Sequence, residues 1–492
     1  MDYSKLRVKR AGGRPLYEQL VETLEGAVEA GELKNGERLP SERELAGRLK
    51  LSRTTVAGAY RELESRGLVR SHVGRGTFVC ARPEPSDAPF AWRGKVSASV
   101  ARLGNSLSLR HLTKDVLNMK IISFAASSPS LECFPVEAYQ RATERVLHRS
   151  RDAALGLSPT EGQPRLRELV AARFKTRAER VLILSGSQQG LDLMARCLLD
   201  PGDSVVMDRP GYVGAIQTFR AAGANLIGWD VLRADLGELE DLVMRYRPKL
   251  IYTDPTFQNP TGRVLPLRER QELLKLAARY RVPIIEDNPW QETYLDAPPP
   301  PTLYHLDTHN IVIHLSTFSK IFAPGLRLGW LVASEYIVDQ LASIKQYEDV
   351  SSEGLTQLVL AELLQGGLFD DHLAGLRKEH AGKRDLMIKA LRRHVPPRSF
   401  EFNTPRGGLH LWGRLNEGVS ARQLLRQTLA KGVAFAPGEM FYSDGGGRHE
   451  LRLCFTSVAA VKIEEGVKRL AEILARERSG AAGRGEYAVP LV

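Results

Sequence analysis

Lys320 closes the run Ser316-Thr317-Phe318-Ser319-Lys320, and Arg327 follows in Pro324-Gly325-Leu326-Arg327-Leu328-Gly329. A primary amine among hydroxyls, with a fixed cation nearby, suits condensation with a carbonyl beside a phosphate. Upstream stand Asn259, in Asn259-Pro260-Thr261-Gly262, and Asp287, in Glu286-Asp287-Asn288-Pro289. An ionised Asp287 would keep a ring nitrogen protonated, and Asn259 can donate to a phenolic oxygen. Pyridoxal phosphate (PLP) asks for all of this at once: an imine-forming lysine, a carboxylate at the pyridine nitrogen and a cradle for its phosphate. Each residue alone has an ordinary reading, the lysine as a solvated surface group and the aspartate as a turn or cap. The set in this order is much more specific.

These residues need elements to aim them. Lys320 comes after a strand expected over 311–315, and Asp287 after one over 282–285. Ligands of open α/β sheets gather at the carboxyl ends of strands, so both can face one crevice. A third strand, Val181–Leu184, runs into Ser185-Gly186-Ser187-Gln188-Gln189-Gly190 and then a helix. Such a helix start is either a phosphate site or a plain cap. Thr317, Ser319 and Arg327 add hydroxyls and a charge. Further short apolar runs at 204–207, 250–252 and 283–285 alternate with amphipathic stretches such as 267–280, which predicts a layered α/β domain with a mostly parallel sheet.

At 492 residues the chain exceeds one ordinary core. Its formal charge of +11 makes an anionic partner plausible without bearing on the fold. Cys80, Cys133, Cys197 and Cys454 are scattered, so neither a disulfide framework nor a metal site is expected, and a reducing cytoplasm fits. Residues 1–13 carry no apolar stretch, so no signal peptide is expected, and no apolar run suggests a membrane span.

The first segment has its own pattern. Pro15 suits a first helical turn, and Leu16, Leu20, Leu24 and Val28 give one apolar face. Ser41-Glu42-Arg43-Glu44 reads as a capping box in which Ser41 caps the next helix and Glu44 reaches back. After a turn at Leu51-Ser52, a third helix buries Val56, Tyr60 and Leu63 and stops at Gly67. Two strands joined through Val73-Gly74-Arg75-Gly76 complete a winged helix-turn-helix. Its third helix would enter the major groove of double-stranded DNA with Ser52, Arg53, Thr54 and Thr55 near its start. Arg53 could read a guanine edge or grip phosphate, and Gly74 and Gly76, flanking Arg75, would let the wing approach the minor groove. The expected domains are 14–79 for this head, 80–89 for a proline-rich linker, 90–475 for the PLP domain and 476–492 for a mobile tail.

The run Gly36-Glu37-Arg38-Leu39-Pro40-Ser41-Glu42-Arg43-Glu44-Leu45-Ala46, with Leu51-Ser52-Arg53-Thr54-Thr55-Val56, resembles the GntR family of bacterial regulators. That resemblance gives Arg43 a phosphate or base contact. Residues 90–475 resemble fold-type I, class I/II aminotransferases, with a smaller C-terminal α/β subdomain. The resemblance implies Lys320 as Schiff-base lysine, Asp287 at the pyridine nitrogen and Asn259 at the ring oxygen. It implies Ser187, Gln188, Thr317, Ser319 and Arg327 at the phosphate, Tyr212 stacked on the ring and Arg452 on a ligand carboxylate. Two positions depart from the pattern: Trp290 stands where a tyrosine supports the ring oxygen, and Leu157 where one reaches a neighbouring subunit's site. Together, head and body resemble the MocR subfamily. That implies a homodimeric, PLP-dependent transcription regulator that binds an operator and senses PLP, an amino acid or an amine through Lys320, with weak or vestigial transaminase activity. The alternative is an aminotransferase with an accessory DNA-binding head.

Overall fold

The computed structural model describes residues 3, 15–72, 76–80, 97 and 121–478. The chain forms two compact units, 1–95 and 96–492.

In the first unit, α1 (Leu16–Glu29), α2 (Glu42–Leu49) and α3 (Arg53–Ser65) precede a hairpin of β1 (Val69–His72) and β2 (Gly76–Val79). Antiparallel pairing runs from Val69 opposite Val79 to His72 opposite Gly76. The buried stripe of α1 is Leu20, Val21, Leu24 and Ala27, while Leu16 and Val28 are only partly buried. A strict four-residue spacing drifts off a 3.6-residue helix face, so the stripe steps back by one residue. The capping box is half formed: Ser41 accepts from the Glu44 N–H at 3.2 Å, but the Glu44 carboxylate turns to Arg48 at 2.5 Å. Tyr60 donates to the Pro40 carbonyl at 2.8 Å and ties α3 to the approach of α2.

The second unit opens with β3 (Ile122–Ser123), α4 (Val136–Arg149), α5 (Arg151–Leu155) and α6 (Pro164–Arg173). An alternating run follows: β4 (Val181–Leu184), α7 (Ser187–Leu198), β5 (Ser204–Arg209), α8 (Val213–Ala222), β6 (Asn225–Asp230), α9 (Leu236–Tyr246), β7 (Leu250–Thr253), α10 (Leu267–Tyr280), β8 (Ile284–Asp287), α11 (Leu303–Leu306), β9 (Val312–Thr317) and β10 (Gly329–Val332). These strands make one sheet in the order β4-β10-β9-β8-β7-β5-β6. It is parallel except at β10, which runs antiparallel to both β4 and β9. Strand alternation divides the core. Leu182, Leu184, Ile285 and Leu315 pack with α7 and α8 on one face, and Val181, Ile183, Trp330 and Val332 pack with α6 on the other. Two expected strands end two residues later than the sequence suggested, β8 shifted and β9 lengthened: Asp287 and Thr317 are their last residues rather than lying beyond them.

Helices α12 (Glu335–Asp349), α13 (Gly354–Gln365) and α14 (Leu368–His394) lead to a smaller sheet. It comprises β11 (Phe400–Phe402) and β12 (His410–Leu415), then, beyond α15 (Ala421–Ala430) and β13 (Val433–Ala434), β14 (Ala436–Pro437) and β15 (Glu450–Cys454). Its order is β11-β12-β15-β14, all antiparallel, while β13 pairs in parallel with β3. The closing helix α16 (Ala460–Arg478) runs three residues into the stretch read as a tail. The helix-forming run Ala475-Arg476-Glu477-Arg478 accounts for that extension. The linker beyond Cys80 and residues 479–492 lie outside the described residues.

Candidate functional site

A cavity of about 480 Å³ opens at the carboxyl ends of β7, β8 and β9. Lys320, Asp287, Asn259, Tyr212, Ser187, Trp290, Arg327 and Arg452 all line it. They come from the seven-stranded and the four-stranded sheets of this unit and the loops after their strands, since Arg452 sits on β15.

Asp287 is buried. Its Oδ2 accepts from the Tyr252 hydroxyl at 2.6 Å, and its Oδ1 has no hydrogen-bond partner. Burial pushes its carboxyl up to about 6, although Tyr252, His314 and Lys320 pull the other way. Lys320 Nζ donates to the Ser127 carbonyl at 2.5 Å. Burial lowers its ammonium to about 8, with Arg452 and Arg327 adding repulsion. An amine near 8 reaches its neutral, nucleophilic form far more readily than an ordinary lysine.

Arg452 Nη1 donates to Asn259 Oδ1 at 2.8 Å, and Nη2 donates to the Ala125 carbonyl at 2.7 Å. The first bond fixes the amide so that the Asn259 NH2 remains a donor. Arg452 Nε has no partner. Tyr212 donates to Gln188 Oε1 at 3.2 Å, and the Gln188 NH2 donates to Thr218. A Cβ on Gly214 would sit 2.5 Å from the Tyr212 ring, so that glycine admits it.

The turn from β4 into α7 carries Gly186 at φ +89°, where an added Cβ would fall 2.4 Å from Arg327 Nη2. Ser187 begins the helix behind it. Arg327 reaches Ser319 Oγ at 3.5 Å and the Ser185 carbonyl at 3.3 Å. Thr317 donates to the Leu328 carbonyl at 2.9 Å and accepts from the Ser319 N–H at 3.1 Å. Thr317, Ser319 and Gln188 line none of this cavity: Thr317 braces Ser319, which meets Arg327, and Gln188 braces Tyr212.

Trp290 does not replace a tyrosine's hydroxyl. Its Nε1 donates to Asp254 Oδ2 at 2.9 Å, while its ring lies 5.7 Å from Lys320 Nζ. Asp254 is held well above the ordinary carboxylate range by burial and by the charge of Asp287. Leu157 is 84% exposed and lines none of this cavity.

Sequence reasoning missed Tyr252, Ser127 and His410. Ser127 Oγ lies 2.7 Å from His410 Nε2, and burial together with Arg452 and Lys320 keeps that imidazole neutral. Tyr252 looks like any strand residue; only the pairing of β7 with β8 puts it beside Asp287.

PLP fits these residues. The orphaned Asp287 Oδ1 is the acceptor that a pyridinium N–H needs, and the Gly186–Ser187 turn with Arg327 and Ser319 gathers donors for a phosphate.

In the first unit, Ser52 caps α3, its Oγ accepting from the Thr55 N–H at 3.1 Å. Arg53 and Thr54 are exposed at that helix start and Thr55 is half-buried, while Arg43 is exposed on the first turn of α2. Arg53 pairs with Glu42 at 3.2 Å, and among the described residues Arg43 has no ion pair. Gly74 and Arg75 lie outside the described residues. No helix of the described residues is long and apolar enough to cross a membrane.

Residues 120–470 match the family described as aminotransferase class I and II, and residues 16–79 match bacterial regulatory proteins of the gntR family. The 2-aminoadipate transaminase of Thermus thermophilus is 37% identical over 78% of this chain and 98% of its own length. The probable rhizopine catabolism regulatory protein MocR of Rhizobium meliloti is 29% identical over 95% of each chain. Among solved structures, the α-aminoadipate aminotransferase LysN of Thermus thermophilus, complexed with N-(5'-phosphopyridoxyl)-L-leucine, superposes with a TM-score of 0.75 at 36% identity. That match covers 79% of this chain and all of LysN.

Proposed function

Because the chain belongs to the class I and II aminotransferase family and carries a gntR-family head, we propose that it is a PLP-dependent, DNA-binding transcription regulator of the MocR type. The observation that carries the reading is the joining of two things in one chain: a cavity lined by Lys320, Asp287, Asn259 and Arg327 that fits PLP, and a helix start at which Ser52, Arg53 and Thr54 are exposed. Bound PLP supplies a carbonyl that condenses with amines and a protonated ring that withdraws electrons.

The residues then divide the work. Asp287 holds the ring nitrogen's proton through Oδ1, and Tyr252 fixes the carboxylate's orientation. Asn259 donates to the ring oxygen, its amide set by Arg452. Ser187 and Arg327 hold the phosphate, with Ser319 beside the Arg327 guanidinium, and Tyr212 covers the ring. Lys320 is the attachment amine. Arg452, with its free Nε, receives a ligand carboxylate. The effector is PLP itself or an amino compound, the working form is a homodimer, and the setting is the cytoplasm. An effector changes DNA binding only through unequal affinity for two states of the chain.

One observation favours an enzymatic second reading: the 37% identity to a transaminase exceeds the 29% to the MocR protein. The test uses one preparation of the full chain. It should show a visible absorbance band, lost in Lys320→Ala, and should retain duplexes selected from a random library. A band that survives in Lys320→Ala, or a selection that enriches no sequence, would contradict the reading.

A further inference from the structure

A second cavity, of about 280 Å³, lies on the opposite side of the wall that carries Asp287. Alternation along β8 and β9 turns Ile285, Asp287, Ile313 and Leu315 one way. Glu286, His314 and Ser316 turn the other way, followed by Asn288. Buried, mainly parallel strands ordinarily present apolar residues on both faces. Here Glu286 on β8 and its neighbours His314 and Ser316 on β9 are polar, and the cavity is lined by His314, Ser316 and Asn288 where the layer of α6 and α13 gives way to α11.

Most of these polar groups are satisfied. His314 Nδ1 meets Glu286 Oε2 at 2.9 Å, and Glu286 also accepts from the backbone N–H groups of Leu303 and Tyr304. Ser316 donates to the Asn288 carbonyl at 2.8 Å. The Asn288 NH2 donates to Gln291 at 3.1 Å. Two atoms are left: Asn288 Oδ1 and Trp330 Nε1 are buried, belong to residues lining this cavity, and have no partner. One is an acceptor and the other a donor, and such groups are costly to leave unmade.

The remaining lining sets the chemistry of an occupant. Phe174 stacks on His305 with ring centres 5.3 Å apart, and Phe318 lies 4.4 Å from Trp330. The charged side chains of this lining are already engaged: Arg173 pairs with Asp370 and Glu292 with Arg377, and the buried Glu286 behind it is hydrogen-bonded to His314. Burial holds His305 below its ordinary range, which favours the neutral ring. The walls therefore suit a flat ring and offer no spare charge.

We propose that this cavity is a second small-molecule site for a flat, uncharged aromatic ring bearing an acceptor and an N–H donor, as an aromatic carboxamide does. The carbonyl accepts from Trp330 and the amide N–H donates to Asn288 Oδ1. The site is linked to the cofactor pocket because the wall is common. Asn288 follows Asp287, Ile321 follows Lys320, and Pro289 lines both cavities. Whatever occupancy does to PLP affinity, PLP does to occupancy by the same factor.

The binding test does not depend on whether the chain regulates transcription. PLP-loaded full chain is titrated with benzamide, benzoate and toluene by ligand-detected NMR and calorimetry. Benzamide should bind in about the millimolar range or tighter, with benzoate and toluene each about tenfold weaker. Trp330→Phe should weaken benzamide about fivefold or more by removing the donor. Leu364→Trp, which fills the cavity from α13, should abolish binding while the cofactor's absorbance stays unchanged. Benzamide that fails to bind, binds equally to both variants, or displaces PLP would overturn the site. PLP affinity titrated at saturating benzamide should shift about threefold or more; an unchanged value would overturn the link between the cavities.

Discussion

On the proposed reading Asp287 holds the cofactor's ring nitrogen, and its environment gives that hold a pH dependence. Burial raises its carboxyl from 3.8 to about 6. Only the ionised form can keep a ring nitrogen protonated, so PLP affinity should be full above that value and fall as pH drops through it. For the cofactor-free fold the sign is opposite: between 3.8 and about 6 the folded state binds more protons, so this carboxyl's cost to stability is relieved as pH falls. The Tyr252 hydroxyl lowers the Asp287 value. Tyr252→Phe should therefore move the midpoint of cofactor release to higher pH, measured by absorbance titration between pH 5 and pH 8. Trp290 carries a second prediction. Its indole N–H is committed to Asp254 and its position offers no hydroxyl to the ring oxygen. Transamination should therefore stay below about 1 per second, since misplacing a reacting group by about 1 Å can cost roughly a hundredfold. A screen of amino acids with a keto-acid acceptor checks this, and faster turnover would favour the enzymatic reading.

At the scale of elements, α3 presents Arg53 on its first turn, paired with Glu42. Arg53 is 74% exposed, so that pair adds little and yields easily to a phosphate or base edge. Arg53→Ala should cost about 1–3 kcal/mol of DNA affinity if it reads a base. Gel-shift titration at two salt concentrations separates a base contact from a phosphate contact, because loss of a phosphate contact reduces the salt slope. Much of this head was legible in the sequence, because Ser41, Ser52 and Gly67 are local signals and Leu20, Leu24, Val56 and Leu63 follow a helical period. Glu44 was misread because an i,i+4 arginine competes for its carboxylate. In the body, the order Asn259, Asp287, Lys320, Arg327 gave the pocket. The expected runs at 181–184, 204–207 and 250–252 fall within observed strands. The antiparallel β10 and the partnership of Tyr252 with Asp287 were not legible, since both depend on which strands lie side by side rather than on local pattern. The same holds for Asn288 and Trp330, whose common cavity exists only once β8 and β10 share a sheet face.

On the whole-molecule scale, the proposed homodimer needs an association surface, and exposed apolar residues offer one. Leu157 is 84% exposed and Tyr347 93%, with Leu155 and Val350 also exposed. Thr160 donates to the Val350 carbonyl at 3.0 Å, which brings the 155–160 segment against the end of α12. A patch of this kind suits a protein interface. Leu157→Asp with Tyr347→Asp should shift the sedimenting species from dimer toward monomer; an unchanged species would place the interface elsewhere. Regulation adds a thermodynamic requirement, that the ligand held by the body bind unequally to the DNA-bound and free chain. The most direct measurement is fluorescence anisotropy of the full chain on its selected duplex, with and without saturating PLP, for wild type and Lys320→Ala. The account predicts that PLP changes the wild-type DNA affinity about fivefold or more, the lower range of measured coupling, and leaves Lys320→Ala unmoved. Equal wild-type affinities with and without PLP and with a panel of amino acids would contradict it.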